Sequence, residues 1–360
     1  MTALPLLPAP SSSEIDLPAA RDPSRPSGDG RLLVVDPVAG QLGAGRAADL
    51  PGVLRRGDLV VVNDAGTLPA ALPLVGGGEL RLVGRVGPGR WQVVEMGAGD
   101  WRQDTDTRPA APRAQVGDRR VVVGGLVARV EAVDARHPRL RTVRFDRAGR
   151  ALTAAMYAAG APVQYRYMDR AVPLSAVQNV YAVRPWAVEM PSAGRLLSWA
   201  VLDGLAARGV GVATLTHAAG LSATGDPGLD ARLPLPERYE IPPETRDRVR
   251  DTRASGGRVV AAGTSVVRAL EGDAAAGAPG CGVTDLRLGP GSRLTLVDGL
   301  ISNLHVPGES HFELWRAFAP SELLRRAVAH AAAAGWLAHE FGDHALLLPG
   351  AALSASSSSR

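Results

Sequence analysis

The fold is decided by the stretch GRVVAAGTSVVRALE, residues 257–271, in the carboxy-terminal half of the chain. Its apolar run, residues 259–262, stops at Gly263, and a helical pattern begins with Thr264 and Ser265. This pattern predicts a strand, a turn and a helix with a hydroxyl side chain at its N-cap. The free N–H groups at such a helix start can hold a carboxylate or a phosphate. We therefore predict an anion-binding turn at residues 263–265.

Polar side chains near this unit extend the predicted site. Arg268 follows one helical turn later and offers paired donors for the same anion. Farther along, VDGLISNLHVP (residues 297–307) places Asp298, Asn303 and His305 where an apolar strand gives way to a loop. Loops that leave strand ends are where the sites of α/β folds gather. The segment therefore supplies the candidate catalytic residues.

Strands and helices alternate outside this unit. The alternation predicts an α/β fold whose mostly parallel sheet is covered by helices on both faces. Between residues 72 and 151 the pattern changes to short β-branched runs broken by Gly and Pro, which predicts an inserted small antiparallel β-barrel. The predicted α/β domain is therefore discontinuous, at residues 1–71 and 152–350. The Ser- and Ala-rich tail, residues 351–360, is predicted to be disordered.

Composition narrows the class of protein. The 360 residues are 46% apolar and 21% charged, as in globular proteins. All 40 basic residues are Arg, yet the net charge of +4 falls short of the dense basic patch of a typical nucleic-acid binder. Cys281 is the single cysteine, which excludes an internal disulfide. The sequence has no apolar run of about 18–20 residues and no pattern of a signal peptide, so we expect no membrane partner and a cytoplasmic location.

Other polar residues give weaker signals. Glu237 and Asp343 are candidates for ligand binding, although each also fits an ordinary loop or turn. His217 is a weak candidate, and His330 and His339 fit a surface position. No metal is expected, because no His or carboxylate pair at i, i+4 spacing has a convincing third ligand. Nucleotide P-loop, G-x-S-x-G and G-x-G-x-x-G motifs do not occur in the sequence.

Taken together, these residues resemble the S-adenosylmethionine:tRNA ribosyltransferase-isomerase family of the queuosine pathway. The resemblance is strongest between Glu240 and Asp343. The segments that match the family pattern are residues 258–271, Thr284-Asp285-Leu286, Pro290-Gly291, residues 297–307 and Gly342-Asp343. The family's architecture, an α/β domain with an inserted β-barrel, agrees with the pattern of the chain.

The resemblance implies a transferase-isomerase that moves the ribosyl moiety of S-adenosylmethionine onto a 7-deazaguanine base in tRNA and releases adenine and methionine. S-adenosylmethionine is then a substrate, and the chemistry needs no metal: the sulfonium acidifies the adjacent 5′ carbon, from which a base removes a proton. His305 is the implied proton-transfer residue, with Asp298 and Asn303 orienting it or bonding ribose hydroxyls.

The resemblance also implies binding roles. Arg268 and the helix start at residues 264–265, after Gly263, would hold the methionine carboxylate. Glu237 and Asp343 would contact the adenine, the amine or the sulfonium.

Several family positions are altered here. The family's Asp-Thr-Arg, Pro-Ala-Arg and Lys-Ser-Thr segments read DAG (residues 64–66), PAA (69–71) and GES (308–310). Each lost charged hydrogen bond forfeits about 1.5–3 kcal/mol, so tRNA binding is expected to be weakened. Two alternatives follow: a divergent paralogue with a small nucleoside-like acceptor, and a non-catalytic nucleotide-binding protein.

Overall fold

Two sheets organise the molecule, and a computed structural model describes them for residues 4–7 and 15–354. One sheet has nine strands and the other has six. In chain order the strands are β1 (Leu4–Pro5), β2 (Arg31–Asp36), β3 (Gln41–Arg46), β4 (Leu59–Asn63), β5 (Ala65–Thr67), β6 (Ala71–Pro73), β7 (Glu79–Gly87), β8 (Arg90–Met96), β9 (Arg119–Val121), β10 (Val127–Val133), β11 (Leu140–Phe145), β12 (Arg184–Ala187), β13 (Gly211–His217), β14 (Glu237–Glu240), β15 (Val259–Ala262), β16 (Cys281–Thr284), β17 (Gly299–Asn303), β18 (His344–Leu347) and β19 (Leu353–Ser354). The α-helices are α1 (Leu50–Val53), α2 (Gly149–Ala159), α3 (Trp199–Ala207), α4 (Pro227–Asp230), α5 (Pro243–Ala254), α6 (Thr264–Ala275), α7 (Ser310–Trp315) and α8 (Ser321–Ala333).

The nine-stranded sheet is mixed, with the strand order β16-β14-β13-β4-β15-β17-β18-β2-β3. Strand β4 pairs in parallel with β13 and β15, β15 with β17, and β18 with β2. The pairs β17–β18, β2–β3, β13–β14 and β14–β16 are antiparallel. The prediction of a mostly parallel sheet is therefore wrong for this sheet. All four residues of β18 are buried, so its sequence lacks the alternation that usually marks an antiparallel strand.

Helices pack against both faces of the nine-stranded sheet. In β4, Leu59 and Val61 pack into a cluster with α6 and α8, whereas Val60 and Val62 face α1 and α3. Each fully buried Val or Leu contributes about 1.5–3 kcal/mol of transfer free energy. Because neighbouring residues point to opposite faces, this central strand contributes apolar side chains to the cores on both sides of the sheet.

The six-stranded sheet is antiparallel, with the order β6-β7-β8-β11-β10-β9. It curls until its edges meet: Leu74 forms a bridge with Val122. The N–H of Val75 donates to the carbonyl of Val121 at 2.8 Å. This closure gives the barrel-like unit that the sequence predicts between the two parts of the α/β domain. Helix α2, which the predicted boundary at residue 151 divides, packs its Leu152 and Met156 into the core of this unit.

The first and last described strands lie side by side next to β3. Strand β19 pairs in parallel with β1, so the predicted disordered tail at residues 351–360 begins with a paired strand. Residues 1–3, 8–14 and 355–360 lie outside the described residues. Among the described ranges, we find no helix with the length and apolar character needed to cross a bilayer.

Candidate active site

A cavity of about 940 Å³ lies beyond the carboxyl ends of the central parallel strands. Its lining combines the start of α6, the loop between β17 and α7, and the segment that follows the barrel-like unit. In α/β folds, ligands bind outside the carboxyl ends of strands. The cavity is therefore the natural position for a substrate.

The turn between β15 and α6 forms one wall. Gly263 has φ of 108°, a conformation that disfavours any residue with a side chain. It is also the N-cap of α6, and no side chain caps this helix start, so the prediction of a hydroxyl N-cap is wrong. Thr264 and Ser265 are instead the first helical residues and line the cavity. Because the first N–H groups of a helix lack intrahelical partners, this wall can still accept an anion.

Arg268 and Glu237 form a buried ion pair beside this turn. The guanidinium Nη1 donates to Oε2 of Glu237, and Nε donates to the carbonyl of Leu286 at 2.9 Å. The other carboxylate oxygen of Glu237 accepts the N–H of Gly220 at 2.5 Å. Burial, and to a smaller extent the charge of Arg287, lowers the pKa of Arg268 to about 10. Both residues line the cavity, but the charge of each already has a partner.

Asn63 joins three elements beneath the cavity. Its amide exchanges two hydrogen bonds of 2.9 Å with the backbone of His217 and lies 3.3 Å from Oγ of Ser265. His217 is fully buried, with Nε2 3.4 Å from Oε2 of Glu237. Burial, together with the charge of Arg268, holds the pKa of His217 well below its ordinary value. His217 is therefore a neutral packing residue beside the ion pair.

His305 and Glu309 form the strongest candidate for proton transfer. Nδ1 of His305 lies 2.9 Å from Oε2 of Glu309. The His305 ring stacks on His311 at 4.4 Å and meets the edge of Trp315 at 5.9 Å, which fixes its orientation. Burial acts to raise the pKa of Glu309, but the hydrogen bond and charge of His305, with the charge of His339, outweigh burial and lower it. Glu309 is therefore an ionised partner for the imidazole.

Glu309 is not among the site residues predicted from the sequence, and His339 is predicted there to lie at the surface. Nε2 of His339 lies 3.6 Å from Oε1 of Glu309, and both residues line the cavity. The signal for Glu309 was present, because it follows His305 at i, i+4 spacing. The third member of the group comes from a distant loop, which spacing does not reveal.

Asn303 stabilises the cavity floor. Its Oδ1 accepts a hydrogen bond of 2.7 Å from Oγ of Ser192, and its Nδ2 lies 3.5 Å from Nε2 of His344. Burial is the main cause that lowers the pKa of His344 to about 3, so the ring is neutral and can accept from the amide. Asn303 thus joins the end of β17 to the segment at Ser192, at the edge of the cavity.

The structure separates Asp298 from this group. Asp298 precedes β17, whereas His305 follows it, and five strand residues span about 16 Å. Its carboxylate accepts from Nη1 of Arg253 at 3.1 Å and from the N–H of Val259 at 2.8 Å. The prediction that Asp298 orients His305 is therefore wrong, because the two residues lie at opposite ends of one strand.

Asp343 is a buried structural anchor. It accepts hydrogen bonds from Nη2 of Arg25 at 2.7 Å, from the N–H of Arg31 at 2.9 Å and from the N–H of Leu337 at 3.0 Å. Its side chain has no exposed area, and it is not among the residues that line the cavity. The predicted contact of Asp343 with a ligand is therefore wrong: its acceptor oxygens are used to hold the amino-terminal segment against β18.

We expect Asp343→Asn to lower the free energy of unfolding by about 3 kcal/mol, near the lower end for a broken buried ion pair. Arg25 and Arg31 keep 24% and 35% of their side-chain area exposed, which moderates the loss. Urea unfolding measures this difference, with exposed Asp203→Asn as the control within about 0.5 kcal/mol of wild type. An Asp343→Asn variant as stable as wild type would contradict the assigned role.

The same variant has a defined pH dependence. Burial acts to raise the pKa of Asp343, but the N–H groups of Arg31 and Leu337 and the pairing with Arg25 outweigh it, so the pKa is lowered from 3.8. The ionised carboxylate therefore stabilises the fold fully above that value, and the stabilisation disappears as the pH falls through the lowered pKa. The difference between wild type and Asp343→Asn should be constant near neutrality and shrink below about pH 3.8.

Aromatic rings and carboxylates form another wall of the cavity. Tyr165 donates through its hydroxyl to Glu189, and Tyr167 donates to Glu340 at 2.6 Å. The Tyr167 ring stacks on His339 at 5.2 Å. Burial raises the pKa of Glu189 above its ordinary value, and the hydrogen bonds from Tyr165 and Ser222 only partly oppose this. A wall of this composition suits a ligand that carries a positive charge and a ring.

The mixed sheet, the inserted barrel-like unit and a histidine–carboxylate pair in a large cavity together define an α/β enzyme. The chain belongs to the family described as queuosine biosynthesis protein, whose model matches residues 15–347.

Named relatives agree with this assignment. The S-adenosylmethionine:tRNA ribosyltransferase-isomerase of Acidiphilium cryptum is 35% identical over 342 residues, covering 91% of this chain and 95% of that protein. The protein of the same name from Rhodospirillum rubrum is 36% identical over 348 residues, with coverages of 92% and 94%. The crystal structure of S-adenosylmethionine tRNA ribosyltransferase from Thermotoga maritima is similar in fold, with a TM-score of 0.50 and 23% identity, over 94% of this chain and all of that chain.

Proposed function

We propose that the chain is an S-adenosylmethionine:tRNA ribosyltransferase-isomerase. It moves the ribosyl moiety of S-adenosylmethionine onto a 7-deazaguanine base in tRNA and releases adenine and methionine. The observation that carries this proposal is the identity of 35–36% to two proteins of that name over at least 91% of the chain. The cavity at the strand ends supports it, since its volume of about 940 Å³ suits a nucleoside-sized substrate.

The two walls of the cavity match the charges of S-adenosylmethionine. The methionine carboxylate is held by the helix start at Thr264 and Ser265, where N–H groups are free to donate. The sulfonium faces the aromatic wall, where the ring of Tyr167 and the carboxylate of Glu340 attract a cation. Arg268, paired with Glu237 and bonded to the carbonyl of Leu286, holds the chain beside this turn in place.

His305 transfers the proton in this proposal, with Glu309 as its positioning partner. When Nδ1 carries the hydrogen, it donates to Glu309, and Nε2 is left as the base. Nε2 removes a proton from the 5′ carbon beside the sulfonium. The electron pair left on that carbon is consumed as the ribose rearranges and adenine departs with a proton. Methionine departs as a neutral thioether when the ribosyl group bonds to the acceptor base, which gives up a proton. Glu309 orients His305, the role predicted for Asp298, and stabilises the imidazolium. Asn303 holds the floor of the cavity, and these steps run without a metal.

We expect this chain to differ from its family in how it binds the acceptor. The segments DAG at 64–66 and PAA at 69–71 are largely buried in this chain. They offer small side chains where charged donors would contact an acceptor, so tRNA binding is proposed to be weaker than the family pattern implies. Because its proposed acceptor is a tRNA, we propose that the protein acts in the cytoplasm, the location predicted from the sequence.

Calorimetry with S-adenosylmethionine and with unmodified tRNA tests the proposal. Binding of both is expected, and tRNA affinity should fall steeply with salt because phosphate contacts release counterions. Binding of S-adenosylmethionine without tRNA would indicate another acceptor. Failure to bind S-adenosylmethionine would contradict the proposal, whereas binding of both ligands without turnover would indicate a non-catalytic nucleotide-binding protein.

A further inference from the structure

Three side chains beside the cavity converge as a set of metal ligands. One donor atom each from His305, Glu309 and His339 lies within 4.8 Å of the others. Oε2 of Glu309 lies 2.9 Å from Nδ1 of His305, and its other oxygen, Oε1, lies 3.6 Å from Nε2 of His339. A metal bound at about 2.0–2.2 Å holds adjacent ligands about 3–3.5 Å apart. Each imidazole is therefore already near coordination spacing from one oxygen of the carboxylate, which can bind an ion through one oxygen or both.

Packing holds these ligands in place. His305 is held between the face of His311 and the edge of Trp315. His339 is a non-glycine residue with φ of 64°, and its ring stacks on Tyr167. A side chain kept in this left-handed region requires support from its surroundings. The two imidazoles thus reach one carboxylate from separate segments without needing a change in the fold.

The set is open on one side. The side chains of Glu309 and His339 are 29% and 30% exposed, and all three ligands line the cavity. Two imidazoles and one carboxylate with open positions suit Zn²⁺ and related transition metals. Mg²⁺ and Ca²⁺ prefer oxygen ligands, so they fit this set poorly.

We propose that His305, Glu309 and His339 bind one divalent transition-metal ion of the Zn²⁺ class, and that the bound ion inhibits the enzyme. The ion occupies Nδ1 of His305 and the carboxylate of Glu309, which separates the proton-transfer pair. The binding stands on the geometry alone, whereas the inhibition rests on the proposed function.

Titration calorimetry of ZnCl₂ into chelator-treated protein tests the binding. All proteins carry Cys281→Ser, because the exposed Cys281 thiol is a competing zinc ligand. One ion per chain is expected, and MgCl₂ should give no saturable binding. His339→Ala should weaken zinc binding at least tenfold.

Two further variants keep this test decisive. His339→Asn tolerates the left-handed backbone better than Ala and should also lose affinity, even if His339→Ala fails to fold. His137→Ala, in the barrel-like unit, is the control and should bind zinc as wild type does. No one-to-one binding, or zinc binding unaffected by His339→Asn in folded protein, would overturn the proposed site.

Adenine release tests the inhibition. Zn²⁺ at saturation should reduce the rate of adenine release at least tenfold, and a chelator should restore it. Full activity with zinc bound would overturn the inhibition and leave the site standing. Absence of turnover in metal-free protein would instead count against the proposed function, so the two failures can be distinguished.

Discussion

His305→Ala is expected to slow adenine release from S-adenosylmethionine by about 100- to 10,000-fold, the usual contribution of a positioned general base. The imidazole is fixed by His311 and Trp315 and faces the ionised carboxylate of Glu309. Because Ala removes the base without altering the helix start, S-adenosylmethionine should still bind. Chromatography of released adenine measures the rate, and calorimetry measures the binding.

His137→Ala is the matched control for this change. The side chains of His137 and His305 are each 12% exposed, and each faces a carboxylate. His137 lies in the barrel-like unit, outside the cavity lining, so its removal should leave adenine release near wild type. A normal rate in folded His305→Ala protein would eliminate His305 as the base.

Glu237→Ala should lower the free energy of unfolding by about 3–5 kcal/mol, because it leaves a buried guanidinium without its partner. Arg268 and Glu237 are only 6% and 7% exposed, and the change also removes the acceptor for the N–H of Gly220. Urea unfolding, followed at several wavelengths, measures the loss.

The double variant Glu237→Leu with Arg268→Met separates stability from function. Apolar groups of similar size can replace a buried pair at little cost, so stability should largely return. S-adenosylmethionine binding should be weakened, because Leu and Met no longer hold the backbone of Gly220 and Leu286 beside the cavity. Recovery of both stability and affinity would show that the pair has no part in the site.

Local patterns predicted the elements that depend on neighbouring residues. The run at 259–262, ended by Gly263, is followed in the structure as predicted by a helix, as β15 and α6, and the β-branched runs between residues 72 and 151 form the strands β7 to β11. Periodicity and glycine act over a few residues, so one sequence is enough to reveal them. Strand direction is set by the path of the whole chain, which is why the antiparallel β18 was not anticipated.

Site prediction failed where distant contacts decide the role. Asp343 is held by Arg25 and Arg31, more than 300 residues away along the chain, and no local pattern reveals such a pairing. The error with Asp298 was avoidable in principle, since a residue before a strand and one after it lie at opposite ends. Glu309 carried a local signal, but its second partner, His339, comes from another segment.

The measurement closest to the central claim is product analysis after incubation with S-adenosylmethionine and tRNA that carries the 7-deazaguanine base. We expect adenine and methionine in equal amounts, formed only when that tRNA is present, with the ribosyl group recovered on the tRNA. Formation of S-adenosylhomocysteine would indicate methyl transfer and contradict the proposed function.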